Sequence, residues 1–228
     1  MPVVNVTGVT KSAPAPHRTP TERPTARCAE SLAKRTIDLL LATVMLLAAL
    51  PLFALISLAV STTSRGPVVF RQIRLGLDGQ PFSTLKFRTM RCGSHGKLQD
   101  LLHAQGIKPS ICAKPRHDPR ITVVGRVLRK TSLDEIPQLL NVLRGDMSLV
   151  GPRPNVPEEI ALLSWAQKRR LSAKPGMTGL WQVSGRSSLQ AGNAVRLDLQ
   201  YIDCWSLRLD LLILLRTVPA VFQFKNAR

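Results

Sequence analysis

The sequence is short of acid. Asp and Glu number 14 against 32 Lys and Arg, a formal net charge of +18 over 228 residues. A balance so basic calls for an anionic partner: nucleic acid, anionic lipid or a phosphorylated substrate. Aromatic residues make up only 4%, which leaves few stacking platforms for single-stranded nucleic acid. Cysteine is scarce as well. Cys28, Cys92, Cys112 and Cys204 are widely scattered and form no CxxC, so a disulfide framework or a thioredoxin-like site is not expected, and a reducing compartment is. There is no internal repeat, no Walker loop and no GxGxxG fingerprint.

What the chain does have, in one place, is apolar length. Residues 1–30 are rich in Pro, Thr, Ala and Arg and read as a disordered basic tail. From Ile37 to Val60 the residues are almost wholly apolar, about 24 positions, enough for one membrane-spanning helix. The run begins too late for a signal peptide, and no small-residue cleavage site follows it. Lys34 and Arg35 precede it; Arg65, Arg71 and Arg74 follow. A single span carries its basic residues mainly on one flank, whereas both flanks are basic here. Pro51 divides the run into pieces of about 14 and 9 residues, each too short to cross alone, and removes a helix hydrogen bond. A re-entrant hairpin and a spanning helix both fit this pattern, with a buried soluble helix as a third reading.

Val68–Arg71 and Phe82–Phe87 flank Asp78-Gly79, which predicts a β-hairpin. Lys86 and Arg88 stand at its end, either as a solvated strand end or as phosphate contacts. The polar excursion that follows holds Cys92, His95, His103, Cys112 and His117. Their spacing matches none of the usual paired zinc patterns, and a surface excursion is the expectation.

The centre of the chain is Arg129-Lys130-Thr131-Ser132-Leu133-Asp134-Glu135-Ile136-Pro137. Ser132 followed by Glu135 fits a capping box, and Ile136, Leu139, Leu140 and Leu143 recur at helical spacing up to Gly145. The two carboxylates either complement a helix dipole or, pointing about 100° apart, take different chemical roles. Next comes Gly151-Pro152-Arg153-Pro154. Two prolines fix the backbone around one guanidinium, as an ordinary rigid turn or as a phosphate fork. Pro157-Glu158-Glu159 opens a helix expected to end in Lys168-Arg169-Arg170. The loop Lys174–Arg186 holds three glycines, Gly176, Gly179 and Gly185, and a strand-like centre; its backbone N–H groups suit close approach to an anion. A helix is expected over Leu189–Cys204, and a last one over Leu207–Phe224, which lies in the core or in a membrane interface.

These blocks, in this order, resemble the small bacterial phosphoglycosyl transferases that act on polyprenol phosphate, the bacterial sugar transferase family. The resemblance covers about Lys34 to Phe224. It rests on Lys34-Arg35 with Asp38, Lys86–Met90, Asp118-Pro119-Arg120, Ser132–Glu135, Gly151–Pro154 and Pro175–Gly179. It implies an α+β fold, mostly helical, with a re-entrant membrane helix–break–helix, a short β-hairpin, catalytic helices and a C-terminal amphipathic interfacial helix. It further implies a division into tail (1–30), membrane segment (31–65), cytoplasmic catalytic domain (66–205) and interface helix (206–228). The family breaks its membrane helix at Ser-Pro; the matching pair here is Leu50-Pro51.

The same resemblance implies Mg²⁺ as cofactor. It makes Asp134 the nucleophile, with Glu135 sharing the metal with it or handling protons. It assigns Arg129 and Arg153 to phosphate, with Lys86, Arg88, Gln182, Arg186 and the flanking Pro152 and Pro154 as further substrate contacts. Lys34, Arg35, Asp38 and Pro51 belong to the membrane segment. The implied partners are a UDP-sugar, undecaprenyl phosphate and membrane lipid, not nucleic acid; a homodimer stays open. The implied location is the cytoplasmic face of the bacterial inner membrane. One rival is a membrane-anchored basic module that binds lipid or nucleic acid without chemistry; carboxylates at the centre of its surface would serve it poorly. A zinc-binding regulatory protein built on the Cys/His excursion is another.

Overall fold

A computed structural model describes residues 32–93, 98–106, 115, 118–185 and 191–222. The tail of 1–30 lies outside these residues, as do His95, Cys112, His117 and Arg186. The chain runs through α1 (Leu32–Thr63), β1 (Val69–Leu75), β2 (Pro81–Phe87), α2 (Leu98–Ala104) and α3 (Val123–Thr131) to a 3₁₀ turn at Leu133–Glu135. It continues through α4 (Gln138–Arg144), β3 (Ser148–Val150), α5 (Pro157–Ala161), α6 (Trp165–Lys168) and a second 3₁₀ turn at Arg169–Ser172. Last come β4 (Gly176–Thr178), α7 (Leu180–Val183), α8 (Ala191–Asp203) and α9 (Leu207–Phe222). The class is mostly helical α+β.

The strands pair off in two small sheets. β1 and β2 form an antiparallel hairpin from Val69↔Phe87 to Leu75↔Pro81. Asp78 and Gly79 take φ 51° and 75° at its turn, the left-handed conformation that Asp and Gly tolerate best. β3 and β4 pair in parallel, Ser148 with Gly176 and Val150 with Thr178.

α1 is a single 32-residue helix with Pro51 inside it. Among the described residues it is the one helix long and apolar enough to cross a membrane. Leu40, Val44, Leu47, Leu50, Leu55 and Leu58 are exposed along it. It meets the rest of the protein near both ends. Ala42 joins the main core with Leu139, Val142, Met147, Leu149, Tyr201, Ile202 and Ile213. Ile56 and Val60 join a second cluster with Phe87 and Leu128.

Polar side chains peg the N-terminal end of α1 down. Lys34 Nζ donates to Asp210 Oδ2 at 2.6 Å and to Val150 O at 3.0 Å. Asp38 accepts from Ser148 Oγ (2.7 Å) and Leu149 N (3.1 Å). Arg35 donates to Val142 O (2.7 Å) and Leu143 O (3.0 Å), carbonyls in the last turn of α4, where a helix leaves acceptors for side chains to satisfy. The basic residues ahead of the apolar run are therefore structural clamps as well as flanking charge.

Two local expectations change. The helix foreseen from Pro157 to Arg170 is broken into α5, α6 and a 3₁₀ turn. Ser164 restarts it: its hydroxyl accepts from Gln167 N, and Gln167 Oε1 accepts from Ser164 N at 3.0 Å. Arg170 does not complement a dipole from the surface but turns inward to an ion pair with Asp198. The strand-like centre foreseen in the Lys174–Arg186 loop is helical at Leu180–Val183, and the strand lies earlier, at Gly176–Thr178.

Candidate active site

Thr122 caps α3, its Oγ1 accepting from Gly125 N at 2.9 Å. The helix then lies hard against the chain that follows β2. A Cβ at Gly125 would stand 2.1 Å from Thr89 O, so only glycine permits this approach. Thr122 N donates to Thr89 O (3.0 Å), and Arg129 Nε donates to Thr89 Oγ1 (2.9 Å).

At the end of α3 the backbone turns sharply. Ser132 sits at φ 59°, ψ 14°, left-handed geometry that costs a non-glycine residue on the order of 1–3 kcal/mol. The capping box expected of Ser132 and Glu135 does not form: Ser132 makes no side-chain cap bond and terminates the preceding helix instead of opening the next. α4 begins only at Gln138, with Pro137 as its cap, where a missing N–H is harmless. Gly145 closes α4 at φ 94° as foreseen, its N–H donating to Asn141 O and Val142 O.

The carboxylates occupy this bend. Asp134 is buried, with 8% of its surface exposed, and among the described residues no side chain donates a hydrogen bond to it. Burial first, and then the charge of Glu135, push its acid group above the ordinary carboxylate range, against the pull of Lys86 and Arg129. Glu135 points elsewhere and is half-exposed. Its Oε1 accepts from Lys86 Nζ at 2.5 Å. Burial acts to raise it too, but Lys86, then Arg153 and Arg74, outweigh burial and hold it below its usual value. Two neighbouring carboxylates are thus driven apart by their surroundings, the condition under which acids take different roles.

Arg129 and Arg153 complete the cationic surround. Arg153 lies with its Cζ 5.7 Å from the centre of the Trp181 ring. Both flanking prolines are buried; Pro152 O accepts from Gly176 N at 2.8 Å, and Pro154 O accepts from Arg74. The donor set suits Mg²⁺, a hard cation that takes one or two carboxylates and completes its shell with water and phosphate oxygens. Asp134 and Glu135 would hold it.

Other foreseen contacts lie elsewhere. Arg88 is buried, and its guanidinium is spent on Val60 O (3.2 Å), Ser64 O and Ser64 Oγ (3.2 Å), and Pro67 O; it closes the end of α1. Gln182 Nε2 donates to Met177 O (3.2 Å) within its own loop. The glycine-rich loop serves close packing. Gly151 N donates to Thr178 O (2.9 Å) and Gly176 N to Pro152 O, so these N–H groups are committed within the protein. A Cβ on Gly176 would fall 2.1 Å from Gly151 N, and one on Gly179 2.3 Å from Gly151 O.

Some of what holds the site together escaped the sequence reading. Arg74 sits in a strand without any distinguishing pattern. Asn141 had a signal, being the lone amide among Leu139, Leu140, Val142 and Leu143. It is wholly buried. Its Oδ1 accepts from Leu85 N (3.0 Å), while Nδ2 donates to Ser83 O (2.8 Å) and Asp146 Oδ2 (3.1 Å). That tie fixes α4 to β2, and hence Glu135 to Lys86.

The family model described as bacterial sugar transferase matches residues 29–224. The chain is 44% identical over 218 residues to the exopolysaccharide production protein ExoY of Rhizobium meliloti, covering 93% of this chain and 95% of that protein. It is 43% identical over 220 residues to the UDP-glucose:undecaprenyl-phosphate glucose-1-phosphate transferase of Caulobacter vibrioides, covering 90% and 75%. Similarity to the undecaprenyl-phosphate galactose phosphotransferase of Salmonella typhimurium is 43% over 197 residues, covering 85% of this chain and 41% of that one.

Proposed function

The chain belongs to the bacterial sugar transferase family, and on that premise we propose that it moves a sugar-1-phosphate from a UDP-sugar to undecaprenyl phosphate, starting a lipid-linked glycan such as an exopolysaccharide. The observation that carries this reading is the pair at the bend: a buried Asp134 with no side-chain hydrogen bond among the described residues, beside a Glu135 pinned by Lys86. The Asp134 carboxylate attacks the sugar-bearing phosphorus. The bond from that phosphorus to the bridging oxygen breaks, and UMP leaves with the electron pair. An oxygen of undecaprenyl phosphate then attacks the same phosphorus and frees Asp134. Carboxylates serve as nucleophiles in other phosphoryl transfers. Arg129 and Arg153 bind phosphate oxygens, and Lys86 keeps Glu135 ionised and aimed. Asp134 and Glu135 would hold Mg²⁺, which when bound would neutralise the diphosphate charge. Galactose is the expected sugar and glucose the runner-up; relatives are named for each.

The test is UMP release with a panel of UDP-sugars and undecaprenyl phosphate, run beside Asp134→Asn. The parent should release UMP with one donor. The variant should stay folded and lose roughly a thousandfold or more in turnover, as removal of a nucleophile does elsewhere. Near-normal turnover by Asp134→Asn would remove the assignment.

We read α1 as re-entrant, with residues 31–65 in the membrane, 66–205 as the catalytic domain and 206–228 at the interface. Ala42 and Ile56 are buried in the same body of protein. The stretch between them is about 13 residues, or about 20 Å of helix, while a bilayer core is about 30 Å thick. Leu211, Leu212, Leu215 and Val218 are exposed on α9 and suit an interfacial helix. A nucleotide-sugar donor places the site on the cytoplasmic face of the inner membrane. Cysteines introduced near residues 10 and 226 should both escape a membrane-impermeant reagent on intact cells. Labelling of the first alone would mean that α1 spans.

A further inference from the structure

Arg153 is held more thoroughly than a surface arginine needs to be. Its carbonyl oxygen accepts from Arg170 Nη2 at 3.2 Å, and the same nitrogen donates to Asp198 Oδ2. Both members of that ion pair are almost fully buried, Arg170 at 4% and Asp198 at 1% exposure. The charge of the Arg153 guanidinium also acts on the Asp198 carboxylate, whose Oδ1 is buried without a hydrogen bond among the described residues. On the far side stands Trp181, also buried, with its ring beneath the guanidinium. A buried ion pair is a costly way to stabilise a core, since an apolar pair of like volume often does as well. Its worth here is geometric. Arginine has several rotatable bonds to freeze on binding phosphate, and a site that freezes them beforehand binds more tightly.

We propose that Arg170, Asp198 and Trp181 are positioning residues that present Arg153 to the phosphates of the nucleotide-sugar donor. This rests on the transferase reading above. Arg170 and Asp198 fix the Arg153 backbone from the α8 side, and Trp181 supports the cation face-on. None of the three needs to touch the donor.

A double-mutant cycle tests it, with KM for the UDP-sugar and kcat measured separately. Asp198→Asn and Trp181→Leu should each raise KM about tenfold, with kcat within about threefold of the parent. Trp181→Phe keeps an aromatic face and should restore KM to near the parent value. In an Arg153→Ala background neither change should raise KM further. Should Asp198→Asn fail to fold because Arg170 is left unpaired, the Trp181 pair carries the test alone. Additive effects in the Arg153→Ala background, or equal losses in Trp181→Leu and Trp181→Phe, would overturn the proposal while leaving the catalytic reading intact. A parent protein that neither binds nor turns over any UDP-sugar would overturn both.

Discussion

Two lysine–carboxylate pairs in this protein have nearly the same length and opposite duties. Lys34 meets Asp210 at 2.6 Å, and Lys86 meets Glu135 at 2.5 Å. The first pair is sealed, with side-chain exposures of 6% and 9%; the second stands open at 23% and 38%. The sealed pair has no valence to spare. Lys34 also donates to Val150 O, while Asp210 accepts from Tyr201 OH (2.8 Å) and Trp205 Nε1 (3.2 Å). Glu135 accepts from Lys86 through one oxygen, and among the described residues no side chain donates to the other. The length of an ion pair does not tell brace from reagent; the unspent hydrogen-bonding capacity around it does.

The most damaging way to break the comparison is at the sealed end. Lys34→Met strands Asp210, and loss of one partner of a buried pair costs about 3–5 kcal/mol. Chemical denaturation should register a loss of that size; one under about 1 kcal/mol would mean the two pairs are alike after all. At the open end the outcome inverts. Lys86→Met should change stability by no more than about 1 kcal/mol, because the pair is solvated. It should nonetheless cut kcat/KM by about a hundredfold, since it disturbs a preorganised charge. A melt and a kinetic run on one preparation separate these effects.

The smallest and sharpest effect is in pH. On the proposed mechanism Asp134 must be ionised to attack, and burial with the Glu135 charge raises its acid group. A raised carboxyl binds its proton more firmly in the folded protein. Turnover should therefore fall about tenfold per unit as pH drops through a value above the ordinary carboxylate range. Glu135→Gln removes one cause of that rise. In its residual activity the acid limb should move to lower pH; an unmoved limb would show that the carboxylates do not sense each other.

Much of this was legible in the chain. Asp78-Gly79 announced the hairpin and Gly145 the end of α4, and Lys86, Arg129, Asp134, Glu135 and Arg153, which the resemblance singles out, interact with one another around one bend. What could not be read was how each cation is spent. Lys34 bonds to residues 116 and 176 positions away, and Arg88 to carbonyls 21 to 28 positions back. Local pattern carries no information about such distant acceptors, so Arg88 looked as available as Lys86. Ser132 misled for a related reason. The capping-box spacing was present, but the fold needed a sharp bend there, and a left-handed residue cannot also open a helix. Gly176 and Gly179 looked like part of an anion cradle because close packing, here against Gly151, and anion binding ask for the same residue.

On the re-entrant reading, Arg88 would give the molecule its waterline. By tying the last turn of α1 to Ser64, Pro67 and the end of β2, it fixes how the apolar helix lies against the protein body. With α1 in lipid, the bend at Asp134 would stand at a fixed height above the acyl chains. A carrier phosphate tethered to a long polyprenyl tail arrives at only one height, that of the headgroups. The arginine would thus govern reactivity without approaching either substrate, by levelling the enzyme against the surface from which its acceptor emerges.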